Sequence, residues 1–243
     1  MPGVTMSNEL RARLADMATA CRVLSMEGHE DGTQGHLSLR DPEGRGLWLK
    51  RMGVPLGRIM GPEDFILIDF DGNQLAGDGR RHAEWPIHTE IMRARPEVNV
   101  VGHSHPHFAT LFSAVEAEFE PIVQAGHRVR GHKVARYEDT SVLILDSEMG
   151  ADLARSMDGH WAVFLRNHGI TFAGEDIAGA ALTAIYLEHA CRALFEVHAS
   201  GLPYKVPPKE ELAEQDRIFQ SEWFLADNWS YFVDRLATGE RGS

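Results

Sequence analysis

Apolar positions along the chain change their period several times, and each change predicts an element. From Ser7, residues Leu10, Leu14, Met17, Cys21 and Leu24 recur at helical spacing, with Ser7 or Asn8 as N-cap. After a polar stretch from Gly28 to Gly35, the segment Gly35-His-Leu-Ser-Leu-Arg-Asp-Pro alternates as a short strand. Glycines around Arg45 turn it into a second strand, Gly46-Leu-Trp-Leu-Lys. Asp64 to Phe70 predicts a buried strand closed by the turn signal Asp71-Gly72. Proline in the first turn and Pro96 beyond the end bracket a helix from about Pro86 to Arg95.

A β-branched run then leads into His103-Ser104-His105, the end of a further strand. His107 to Val115 predicts a helix, Pro121 to Gln124 and Thr140 to Leu145 are strand candidates, and Glu148 to Ser156 has helical character. Trp161 to Leu165 leads as a buried strand to His168 at its exit, with Gly169 opening the turn. Asp176 caps a long apolar helix reaching about Ala199, where Gly201 stops it. The last segment, about 207–243, is an aromatic-rich helical extension. Strands flanked by helices, several joined by hairpins, predict one α/β domain over 1–243: an α/β/α sandwich around a mostly antiparallel sheet.

Composition narrows the function classes. The net charge of −12 argues against nucleic acid and anionic membranes as partners. No apolar run approaches the roughly 20 residues that span a bilayer, and the start of the chain lacks the order of a signal peptide, so a cytoplasmic location is expected. Cys21 and Cys191 fall inside apolar helical patterns and read as reduced core residues.

Residues two apart on a strand face the same way, so His103 and His105 project side by side, half of a metal site. His168, at another strand exit before a glycine, is the candidate third ligand. Glu84 lies just ahead of the helix leading into the His103 strand, and a carboxylate there suits proton transfer beside a metal; its alternative is a helix N-terminal charge. His82 and His107 flank the site as supporting groups, His88 and Glu90 read as solvated or loop-holding, and His29, His127, His132, His160, His189 and His198 as structural or surface residues.

Glu84-Trp85-Pro86-Ile87-His88, then Arg95-Pro96-Glu97-Val98-Asn99-Val100-Val101, His103-Ser104-His105-Pro106 and Asn167-His168-Gly169 together resemble the class II aldolase/adducin family over most of the chain. The resemblance implies an α/β/α sandwich and a homotetrameric ring. It also implies a divalent metal on His103, His105 and His168, zinc foremost with manganese or iron as options, and an acid/base role for Glu84. Where the family's sugar-phosphate aldolases carry Gly-Asn and a Thr/Ser-rich turn, this chain has Gly35-His36-Leu37-Ser38 and Gly61-Pro62-Glu63-Asp64, whose carboxylates would repel a phosphate dianion.

The variant is nearer the branch that decarboxylates hydroxypyridine dicarboxylates, which implies a metal-dependent lyase decarboxylating a hydroxylated carboxylic acid, aromatic acids included. Retro-aldol cleavage of an unphosphorylated hydroxy-carbonyl compound, non-haem iron oxygenation and a non-catalytic adducin-like interaction module are the alternatives. Arg40, Lys50, Arg51, Arg80 and Arg81 are candidates to pair with a second substrate carboxylate, and Tyr231 is a candidate general acid.

Overall fold

A computed structural model describes residues 6–239. Helix α1 (Asn8–Met26) starts where Ser7 Oγ accepts the Leu10 N–H, and all five residues of its predicted apolar stripe are buried. Strands β1 (His36–Arg40), β2 (Leu47–Lys50), β3 (Phe65–Ile68) and β4 (Gln74–Ala76) form an antiparallel meander. Helix α2 (Trp85–Ala94) then leads into β5 (Val100–Ser104), which pairs antiparallel with β1.

The second half contributes α3 (His107–Ser113), α4 (Gln124–Arg128), β6 (Ala135–Tyr137), α5 (Ser147–Ser156), the hairpin β7 (Ala162–Leu165) and β8 (Gly169–Gly174), α6 (Ile177–Ser200), α7 (Lys209–Phe219) and α8 (Glu222–Thr238). The eight strands order as β4-β3-β2-β1-β5-β8-β7-β6, and all neighbours are antiparallel except β6 and β7. A single α/β domain with a mostly antiparallel sheet results, as the pattern predicts.

Alternation along the strands divides the core into two layers. Leu37, Leu39, Trp48, Phe65, Leu67, Phe164 and Phe172 pack under α1, α3 and α6 on one face, whereas Leu47, Leu49, Ile66, Ile68, Val101, Val163 and Ala173 pack under α2 and α5 on the other. Gly102 is required by this arrangement: a Cβ there would lie 2.2 Å from the Phe172 ring across the β5–β8 pair. Cys21 and Cys191 are buried free thiols, and burial pushes the Cys21 thiol up to about 12.

Three segments differ from expectation. Pro121 to Val123 is irregular and leads into α4, and Thr140 to Leu145 is a loop ending at Asp146, which caps α5 through the Met149 N–H. The edge strand on that side is instead Ala135–Tyr137. The aromatic C-terminal segment divides into α7 and α8, with Ser221 at the N-terminal boundary of the second.

Candidate metal centre

β5 lies between β1 and β8, so its C-terminal end opens near the middle of the sheet. His103 is its penultimate residue and is buried, and His105 follows one residue past the strand. His103 Nδ1 lies 2.9 Å from the carbonyl oxygen of Ile170, which can only accept, so Nδ1 carries the proton and Nε2 is bare. His105 Nδ1 lies 3.0 Å from Asp31 Oδ2 and by the same reasoning donates to it. The two bare Nε2 atoms then face each other at 3.0 Å. Opposed lone pairs at that distance repel unless a cation sits between them, so the donor set itself fits a metal.

His168 completes the group from the β7–β8 turn. Asn167 immediately before it adopts φ of 56°, a left-handed conformation that asparagine tolerates better than most residues. Gly169 immediately after it lets His105 approach, because a Cβ there would meet the His105 ring at 2.6 Å. One ligating nitrogen each from His103, His105 and His168 lie mutually within 4.8 Å, and a second such group comprises His36, Glu84 and His103. These buried histidine and glutamate sets are consistent with a divalent metal site.

Glu84 occupies the N-cap position of α2 but its side chain makes no capping hydrogen bond. Its carboxylate turns inward: Oε2 is 3.7 Å from His103 Nε2, Oε1 is 3.9 Å from His168 Nε2, and Oε1 accepts the Ile144 N–H at 3.0 Å. Burial pushes its carboxyl up to about 7, opposed in part by the Ile144 hydrogen bond. Burial acts oppositely on the imidazoles, holding His103 well below the usual histidine range and His168 down to about 4. These two rings are therefore neutral near pH 7, where the Glu84 carboxyl is close to its midpoint.

The sequence reading missed two contributors. Ile144 supplies its backbone N–H from the loop read as a strand, and no side-chain pattern marks such a contact. His36, on β1, is the direct register partner of His103. Its alternation with Ser38 was visible, but the pairing of β1 with β5 was not. His88 and Glu90 are buried, which removes the solvated alternative of the two expected for them. His82 packs on His36, with ring centroids 4.3 Å apart, whereas His107 is exposed at the start of α3.

Of the candidate cations, Arg40 donates to the carbonyls of Met92, Arg95 and Val98, Lys50 to those of Thr33, Arg51 and Val54, Arg51 pairs with Asp64, and Arg81 donates to the Gly72 carbonyl. These four serve the fold; Arg80 is exposed. Tyr231 is 57% exposed on α8, where its ring lies against Phe232.

Known proteins resemble this chain in sequence and in fold. Residues 15–195 match the family model described as the class II aldolase and adducin N-terminal domain. A 3,4-dihydroxyphthalate decarboxylase of Arthrobacter keyseri is 33% identical over 210 residues, covering 82% of this chain and 84% of that one. A methylthioribulose-1-phosphate dehydratase of Cronobacter sakazakii is 33% identical over 181 residues, covering 70% and 87%. The L-fuculose 1-phosphate aldolase of Glaciozyma antarctica superposes with a TM-score of 0.80 at 24% identity, over 100% of this chain and 97% of that one, a likeness of fold. The chain belongs to the class II aldolase and adducin family, whose relatives here include decarboxylases, aldolases and dehydratases.

Proposed function

We propose that the protein is a metal-dependent carbon–carbon lyase that decarboxylates a hydroxylated aromatic carboxylic acid, with His103, His105 and His168 as ligands of a zinc ion and Glu84 as the acid/base. The observation that carries this reading is Glu84: a buried carboxyl near 7, beside two of three converging histidines and held by a single backbone N–H. A divalent metal bound to the histidines would act as a Lewis acid on a substrate hydroxyl and carboxylate.

The chain's own residues account for the proton. In its protonated form Glu84 donates to the ring carbon as the bond to the departing carboxyl group breaks. Carbon dioxide leaves, the ring carbon gains hydrogen, and solvent reprotonates the glutamate. The bare Nε2 atoms of His103 and His105 stay acceptors throughout, because the Ile170 carbonyl and Asp31 hold their protons on Nδ1.

A non-phosphorylated substrate is supported by the turn at Gly61–Asp64, where Asp64 accepts from the backbone N–H groups of Met60 and Gly61 and leaves no donor turn for a phosphate. The similarity to a decarboxylase of a dihydroxylated aromatic diacid supports the same class. Zinc-reconstituted protein incubated with hydroxylated benzoates, pyridine carboxylates and unphosphorylated hydroxy-carbonyl compounds tests the proposal. Carbon dioxide release supports it; aldehyde release would assign retro-aldol cleavage, and oxygen uptake with ferrous iron would assign an oxygenase.

A further inference from the structure

Behind the metal ligands, a chain of buried polar groups runs from the sheet into α2. Ser38 Oγ lies 3.4 Å from the Val101 carbonyl oxygen, to which it donates, and 2.7 Å from His88 Nδ1. With its own proton directed at that carbonyl, the Ser38 hydroxyl is left to accept from His88 Nδ1–H. Burial keeps His88 neutral, so its Nε2 is bare and can only accept. His36 Nδ1, 2.6 Å away, must be the donor. A neutral imidazole that donates from Nδ1 has no proton on Nε2, so the buried His36 ring presents a bare Nε2. A backbone carbonyl, which cannot reverse its role, thus fixes the tautomers of two rings in succession.

His36 stands directly opposite His103 in the β1–β5 register, on the same face of the sheet, and forms a group with Glu84 and His103 within 4.8 Å. We propose that His36 is a substrate-contacting residue whose Nε2 accepts a hydrogen bond from a hydroxyl adjacent to the substrate's metal-chelating pair, with His88 and Ser38 as positioning residues that hold it in the accepting tautomer. This rests on the reading of the site as one for hydroxylated aromatic acids. It adds a specificity: the hydroxyl must donate, so a substituent of the same size without a proton is disfavoured.

Two probes carry the same hydroxyl–carboxylate pair and differ at the neighbouring carbon, 2,3-dihydroxybenzoate and 2-hydroxy-3-methylbenzoate; because the first can also chelate through its two hydroxyls, the contribution of His36 is read as the part of the preference that His36→Phe removes. Calorimetric titration into the zinc-loaded protein is expected to show the dihydroxy probe binding on the order of tenfold more tightly. His36→Phe, retaining its zinc, is expected to lose most of that preference. Equal affinities in the parent protein would overturn the role of His36 while leaving the lyase reading intact; failure of both probes to bind the zinc-loaded parent would remove both. The tautomer is read without any variant, from nitrogen-15 shifts of labelled protein. Protonation of His36 at Nδ1 alone is expected, with a mixture in His88→Phe, and a proton on Nε2 in the parent would overturn the proposal.

Discussion

Asp31 Oδ2 reaches His105 Nδ1 at 3.0 Å across 74 positions of sequence, joining the loop after α1 to the residue just past β5. A carboxylate on the far nitrogen fixes the imidazole's orientation and raises its basicity toward a metal. Asp31→Asn is expected to weaken zinc affinity roughly 10- to 100-fold with the fold unchanged. Competition with a chromophoric chelator measures it, and an unaltered affinity would show that Asp31 does not tune His105.

His103→Ala and His168→Ala are each expected to lose bound zinc, because each removes one of three converging nitrogens. Glu84→Gln keeps similar volume and should retain the metal while turnover falls about 10²- to 10⁴-fold, the usual contribution of a positioned acid or base. Metal analysis beside a carbon dioxide assay separates the two effects. Parental turnover in Glu84→Gln would remove its role.

Acid stability follows from the buried rings. Burial holds His29, His82 and His88 down to about 3, below an ordinary value of 6.5. Below pH 6.5 the unfolded chain takes up protons that the folded chain refuses, so the stabilisation is complete above 6.5 and is lost as pH falls toward 3. Each such ring contributes about 1.4 kcal/mol of loss per pH unit in that window. Thermal melts of metal-free protein between pH 7 and 5 should show a steep fall in Tm; a flat profile would contradict neutral burial.

Glu188 on α6 accepts the N–H groups of Phe108 at 2.9 Å and Ala109 at 2.7 Å, supplying the first turn of α3 with the acceptor that Pro106 cannot provide. Glu188→Ala leaves two donors unpaired and is expected to cost about 1–3 kcal/mol, seen as a lower denaturation midpoint at constant zinc content.

Asn167→Val places a β-branched residue at φ of 56°, a strain of roughly 1–2 kcal/mol in the turn that presents His168. Weaker zinc binding is expected, and Asn167→Gly should restore it. Identical affinities in both variants would show that the turn does not set the ligand's position.

Local pattern was enough for parts of this arrangement. The stripe from Leu10 to Leu24 is buried throughout, and His103, His105, His168 and Glu84 come together. Elements held by their neighbours were not legible. Ala135–Tyr137 is three residues long and is a strand because β7 pairs with it, whereas the β-branched run at Thr140 to Leu145 reads as a strand and folds as a loop. Gly169–Gly174 was hidden by glycines that read as turns. The link from His36 to His88 spans 52 positions and depends on α2 lying over β1, a tertiary relation without a local signature.

The placement of β5 in the middle of the sheet has a further consequence. Hydrogen-bonded on both sides and packed beneath helices on both faces, the strand bearing His103 is held by contacts that owe nothing to an ion. Stripping the centre with a chelator should therefore leave a folded apoprotein that reloads on simple addition of cation, so that one preparation can be charged with zinc, manganese or iron in turn and their catalytic rates compared on an identical scaffold.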